Sequence, residues 1–223
     1  MVKTPEEYFS DQNFDLSKSE PSSSLSSSEK AFVEKYLGSS ALSSLPVVNP
    51  GASEVALSEN KNATGKDAEQ SIRAKMRNLS SVQMVSFLVR GQIFLVPVIG
   101  IQEVLRYMPI VRLPQAPKFI AGVVNLRGRV TPLLHLDALL TDSSSYKYTQ
   151  NSFIIICIAN DLQLGLIVDK INTMHFIDQK DIIWNAEPQL GSSAEFLCGI
   201  VDINTKVCGI LDAEKISQQV LIG

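Results

Sequence analysis

The sequence predicts a mainly β protein built from small barrels, and three observations carry that expectation. From Val82 onward, short apolar runs follow one another, each bounded by Gly, Asn, Asp or Pro, the pattern of strands joined by tight turns. No comparable stretch shows a sustained helical repeat. The third observation is an internal echo. The run Ala121-Gly122-Val123-Val124-Asn125-Leu126, a turn, then Val130-Thr131-Pro132-Leu133, returns as Cys198-Gly199-Ile200-Val201-Asp202-Ile203, a turn, then Val207-Cys208-Gly209-Ile210. A weaker echo joins Val96–Val104 to Leu166–Met174, in the same order. The domain therefore reads as two related β-halves, and short strands at this spacing favour small barrels over a parallel sheet.

Residues 1–80 read differently. They are rich in serine, as in Ser22-Ser23-Ser24 and Ser26-Ser27-Ser28, and poor in long apolar runs. Such a segment buries too little apolar surface to offset its ordering entropy, so it is expected to be a largely disordered tail ahead of one domain over 81–223. Three short helices are predicted within it. Thr4-Pro5-Glu6-Glu7 and Ser26-Ser27-Ser28-Glu29 are capping boxes, the second opening Lys30–Leu37 with Gly38 as its stop, and Asp67–Leu79 places Ile72, Met76 and Leu79 on one stripe. Helices this short are marginal alone; transient structure is the first expectation for them and docking the lesser one.

Within the domain, Met84–Val89 and Ile93–Val96 flank Arg90-Gly91, and Phe153–Ile158 and Leu162–Val168 flank Asn160-Asp161, two hairpins with two-residue turns. Pro97 lacks a ladder donor, so its strand is expected to lie at an edge or carry a bulge. Short helical pieces are expected around Pro117–Ile120, Asp137–Leu140 and Asp212–Ser217. Trp184 with Glu187-Pro188 reads as a turn over a barrel end.

Composition narrows the function classes. Three cysteines, far apart and embedded in apolar strands, read as reduced core thiols and point to the cytoplasm. No apolar run reaches membrane-spanning length and no secretory signal opens the chain. His135 and His175 offer no metal-ligand spacing, and no nucleophile elbow, phosphate loop or metalloprotease motif is present, so neither a catalytic site nor a cofactor or metal is expected. His135 and Asp137 read as a strand-end histidine beside a helix-capping aspartate. Net charge is −3, against a nucleic-acid footprint for the whole chain. The segment 90–136 is nevertheless basic, carrying Arg90, Arg106, Arg112, Lys118, Arg127 and Arg129 against Glu103, while the later residues are acidic. That segment leaves a small-barrel nucleic-acid binder as the alternative, provided its strands display aromatics for base stacking. Phe94, Tyr107, Phe119 and Phe153 sit among aliphatics, which favours core positions for them.

Arg127 stands out at the turn Leu126-Arg127-Gly128, where a guanidinium projected from tight backbone can offer several donors to carboxylates or carbonyls. As an exposed turn residue it should tolerate substitution within about 0.5 kcal/mol of stability. Val124, one strand earlier, is expected to be buried.

The same residues carry a family resemblance. Ala116-Pro117-Lys118-Phe119-Ile120-Ala121-Gly122-Val123, Asn125-Leu126-Arg127-Gly128 and Val130-Thr131-Pro132-Leu133 resemble the core signature of the CheW-like domain. The likeness extends upstream through Val98–Val104 and downstream through Leu164–Asp169 and Phe196–Ile200, about positions 82 to 218 in all. It implies two interlocked five-stranded small β-barrels, SH3- or OB-like, with a shared apolar core and short helices. It implies a non-enzymatic scaffold that couples chemoreceptors to a CheA-like histidine kinase in chemotaxis, reaching the membrane only through receptors. The partners it implies are the receptor's cytoplasmic tip, met through Arg127, Glu103, Ile101 and Val124, and the kinase regulatory domain, met through Gly165, Leu166 and Gly199.

Overall fold

A computed structural model describes residues 25–37, 47–48, 71–114, 116–141, 148–149, 151–184 and 195–222. The elements in chain order are α1 (Ser27–Tyr36), β1 (Val47–Val48), α2 (Ile72–Arg77), β2 (Ser81–Val89), β3 (Gln92–Pro97), β4 (Ile101–Arg106), β5 (Ile120–Leu126), β6 (Arg129–His135), α3 (Leu136–Thr141), β7 (Phe153–Ala159), β8 (Leu162–Val168), β9 (Lys170–Asp178), β10 (Ile183–Trp184), β11 (Leu197–Ile203), β12 (Lys206–Leu211) and α4 (Ala213–Ile222). The Thr4 capping box and Glu187-Pro188 lie outside the described residues.

Four hairpins close with two-residue turns whose central residues all have positive φ: Arg90 and Gly91, Arg127 and Gly128, Asn160 and Asp161, Asn204 and Thr205. Positive φ at both positions defines the type I′ turn, whose twist matches that of the flanking strands. Glycine, asparagine and aspartate accept this backbone readily; arginine and threonine do so less often.

The strands form two sheets, in the orders β1-β5-β6-β8-β7-β4 and β10-β11-β12-β3-β2-β9. Each holds five main strands and one two-residue strand. The echo in the sequence maps onto this plan. Hairpin β5–β6 joins β8 through the parallel β6–β8 pair, and hairpin β11–β12 joins β3 through the parallel β12–β3 pair. The chain leaves β3 in the second sheet and enters β4 in the first; it leaves β8 in the first and enters β9 in the second. The halves are thus interlocked, each lending strands to the other's barrel.

The repeated glycine does the same work in both copies. A Cβ on Gly122, whose φ is +154°, would lie 2.3 Å from the Val111 carbonyl oxygen, and one on Gly199 would lie 2.9 Å from that of Ile183. Both follow a register shift, between Ile120 and Gly122 and between Leu197 and Gly199. At each bulge the backbone of a crossing segment presses onto the strand. Gly122→Ala should therefore cost about 2 kcal/mol through overpacking, and more than Gly199→Ala, measured by urea unfolding; equal midpoints for Gly122→Ala and wild type would refute the contact.

β3 is interior at Phe94 and Leu95, but at Pro97 it is a local edge on its β12 side and not a bulge. Pro97 is the last residue of β3, opposite Met84, beyond the Phe94–Leu95 stretch that pairs with β12, so no β12 partner requires its missing N–H. Pro117–Ile120 is a single turn closed by Ile120 N–H to Pro117 O rather than a helix, because β5 begins at once. Trp184 belongs to β10, paired opposite Gly199, with the Arg77 guanidinium 5.0 Å from its ring centroid.

Two of the N-terminal helices pack on the barrels. In α1, Ser26 and Glu29 form the reciprocal capping box, and Phe32 and Val33 enter the main core at 0% and 4% exposure. Met76 of α2 is equally buried, in the second barrel's core. Docking supplies the burial that neither helix could provide alone.

Candidate functional site

The first barrel has a seam. Its end strands are β4 and β5 with β1, and among the described residues no ladder joins β4 to β5. Two links close the gap. Val111 exchanges backbone hydrogen bonds of 3.0 and 2.8 Å with Val123. Further along, Arg127 donates through Nη2 to Glu103 Oε2 at 2.9 Å. The pair spans the seam from β4 to the β5–β6 turn.

Arg127 is 55% exposed and Glu103 only 15%. The other Glu103 oxygen, Oε1, is buried with no hydrogen-bond partner. Half-exposed ion pairs contribute about 1 kcal/mol or less, but a carboxylate left half-buried without its cation costs more than a solvated one. Arg127 is therefore more than a tip in solvent. The structure brings together Arg127 and Glu103, and sets Ile101, half-buried against the main core, at the start of the same strand β4.

Four of the implied contact residues are placed elsewhere. Val124 is 4% exposed and packs with Leu126, Leu133, Ile154, Ile156 and Ile167 inside the first barrel. Leu166 is fully buried in β8, between β6 and β7. A Cβ on Gly165 would meet the side chains of Leu133, Ile154 and Ile156 at 2.4, 2.9 and 3.2 Å. Gly199 is buried beneath Ile183. In sheets covered on both faces, Val124, Gly165, Leu166 and Gly199 are thus packing positions, with little side-chain surface exposed.

Sequence reasoning missed what surrounds the Arg127 turn. Arg129, the first residue of β6, donates through Nε to Glu29 Oε1 of α1 at 2.9 Å. Ser26 and Ser28 donate their hydroxyls to the carbonyls of Asp161 and Asn160 in the next hairpin turn. On the other side, Val47 and Val48 run parallel to Asn125 and Leu126 of β5. The only signal in the sequence was the capping box, which fixes Glu29 at a helix start but says nothing of Arg129.

Among the described residues, the polar groups around His135 and the cysteines form packed clusters. His135 stacks on Tyr148 with 5.2 Å between centroids, and the Tyr148 hydroxyl donates to Asp137 Oδ1 at 2.9 Å. Burial lowers the His135 pKa, against the pull of Asp137, and burial first, then Asp137, raises that of Tyr148. Asp137, in the first turn of α3, is thereby held as an acceptor in a packed cluster. Burial pushes the Cys157 and Cys198 thiols up to about 12, leaving them protonated and poor nucleophiles. Among the described residues no group of three His, Cys, Asp or Glu could hold a metal ion, and no helix is long and apolar enough to cross a membrane.

The stacking platform needed for nucleic acid is absent from the basic segment's strands. Phe94 is 4% exposed, and Phe119, Phe153 and Tyr107 are half-buried against the cores. The exposed Phe176 lies on β9, outside residues 90–136.

The CheW-like domain model matches residues 83–221. The chain belongs to the CheW-like domain family. The match begins inside β2, so α1, β1 and α2 precede it. Among curated relatives, the chemotaxis protein CheW of Treponema pallidum is 26% identical over 148 residues, 62% of this chain and 84% of that protein. That of Bacillus subtilis is 28% identical over 134 residues, 60% of this chain and 85% of that one. The crystal structure of the scaffolding protein TtCheW from Thermoanaerobacter tengcongensis superposes with a TM-score of 0.55 at 26% identity, covering 60% of this chain and 85% of that one. The CheW-like domain thus accounts for both sheets apart from β1 and the first two residues of β2.

Proposed function

We propose that this chain is a non-enzymatic scaffold of a chemotaxis pathway, coupling the cytoplasmic tips of chemoreceptors to a CheA-type histidine kinase. One observation carries the reading: in a CheW-like domain, the exposed Arg127 is held at the barrel seam by Glu103. Two residues expected on the receptor side from sequence form one unit there. The guanidinium of Arg127, 55% exposed, suits carboxylates or carbonyls on a receptor helix, and Ile101 adds an apolar neighbour on β4. For the kinase regulatory domain, the second barrel offers the exposed side chains of Ile183 on β10, beside Gly199, and of Val207 on β12, each 55% exposed. The site of action is cytoplasmic, with membrane association only through receptors.

The test titrates receptor tip and kinase regulatory domain into the purified protein. Arg127→Glu should weaken receptor binding about 30-fold or more, the scale of an interfacial arginine hot spot. It should also cost about 1 kcal/mol of stability, above an ordinary surface change, because Glu103 then faces a like charge. Combining Arg127→Glu with Glu103→Arg should restore stability without restoring binding. If Arg127→Glu binds the tip as wild type does, or wild type binds neither partner, the reading is wrong.

A further inference from the structure

The β5 edge at Asn125–Leu126 borders the Arg127 turn and is paired with Val47–Val48. An unpaired strand edge is a template for any extended segment, and addition of a strand to such an edge is a general mode of recognition. The sequence around the added strand is Pro46-Val47-Val48-Asn49-Pro50. Proline carries no ladder donor, so the two prolines restrict the pairing to a very short stretch between β-branched residues. A ladder this short is weak by itself. It is made intramolecular by α1, which Glu29 ties to Arg129 and whose Phe32 is fully buried. Only residues 37–46 separate that anchor from β1, so the local concentration of the strand at the seam is high although its own affinity is low.

The two anchoring contacts flank Arg127 on both sides. Arg129, two residues after it, holds α1, and Asn125–Leu126, just before it, hold β1. Among the described residues, the equivalent hairpin β11–β12 of the second barrel has β10 across its seam, and β10 is the chain's own continuation from β9. Among the described residues, a strand drawn from ahead of β2 lies only in the barrel that carries the arginine.

We propose that the β5 edge is a strand-accepting surface, and that the chain's own Val47–Val48 segment occupies it in competition with the chemoreceptor tip. This rests on the receptor reading of the Arg127 site. The segment is a built-in competitor: weak enough to be displaced, and tethered closely enough to return.

Two variants of the full chain test it with a receptor-tip fragment as the probe. Adjacent paired strands hold their Cα atoms within the range that a disulfide can bridge, and the three native cysteines are buried. Val47→Cys combined with Asn125→Cys should therefore cross-link under mild oxidation. The oxidised protein should bind the tip at least about tenfold more weakly than the same protein after reduction. Val48→Pro, which fixes φ and removes one of the two backbone N–H groups of the strand, should strengthen binding by about threefold to tenfold, the gain available when a largely occupied site is freed. Arg127→Glu should still abolish that gain. The proposal is overturned if the cross-link does not form, if the oxidised and reduced forms bind alike, or if Val48→Pro binds more weakly than wild type. If no form binds the tip, the receptor reading fails and the competition with it, while the cross-link yield still reports where the segment sits.

Discussion

Val124→Asp should leave no cooperatively folded protein at neutral pH. Val124 is 4% exposed among the aliphatic side chains of Leu126, Leu133, Ile154, Ile156 and Ile167, none of which can accept or donate a hydrogen bond. A carboxylate placed there must either shed its charge or draw water into the barrel, and both routes cost several kcal/mol. Single domains have about 5 to 15 kcal/mol in all, so a loss of about 4 kcal/mol or more removes most of it. Near-ultraviolet circular dichroism and a urea titration would read the loss directly. Val124→Ala, which leaves a small cavity and no charge, should still unfold in one transition at a lower midpoint. A Val124→Asp protein with the wild-type midpoint would place this side chain in solvent and reopen the receptor contact assigned to it.

Phe32→Ala is expected to have the second-largest effect, although the residue lies well before the span matched by the family. Its ring is fully buried and stands 5.1 Å from that of Tyr36, in the cluster that also contains Leu136, Leu162, Ile216 and Val220. Emptying such a site costs about 3 to 5 kcal/mol. Because α1 is held otherwise by Val33, by the partly buried Leu25, Tyr36 and Leu37 and by a few polar contacts, the free energy is lost first by undocking of the helix rather than by global unfolding. The expected result is rapid proteolysis around α1 together with a lower thermal midpoint. Wild-type resistance and midpoint in the same assays would mean that α1 contributes nothing to the core.

How much could be read from the sequence differs by element, for physical reasons. Turns are local, so Arg90-Gly91 and Asn160-Asp161 announced their hairpins by residues that accept positive φ. The repeat of Gly122 and Gly199 was visible as a pattern, but its cause was not, because the pressing carbonyls of Val111 and Ile183 belong to segments that carry no motif. The candidate site was half legible. Arg127 was distinguished by its turn and Glu103 by being the only acid in a basic stretch, yet their pairing depends on barrel closure. Val124, although read as buried, was named as a contact together with Gly165, Leu166 and Gly199, because a family motif marks what must stay the same without saying whether the reason is packing or contact. The docking of α1 was the least legible, since Glu29 and Arg129 meet across 100 residues of chain and helical propensity alone favours no partner.

The exchange of strands between the two barrels has a consequence for how this protein can be divided. Because β4 crosses into one barrel and β9 into the other, a cut between the echoed halves of the sequence leaves each fragment with strands from both barrels and a complete set from neither. The two halves resemble duplicated units, yet neither is a module that could be lost, transplanted or expressed alone. A partner that grips the seam beside Arg127 therefore pulls on a body knotted together by its own ladders, and strain applied to one barrel is passed to the other through strands they hold in common.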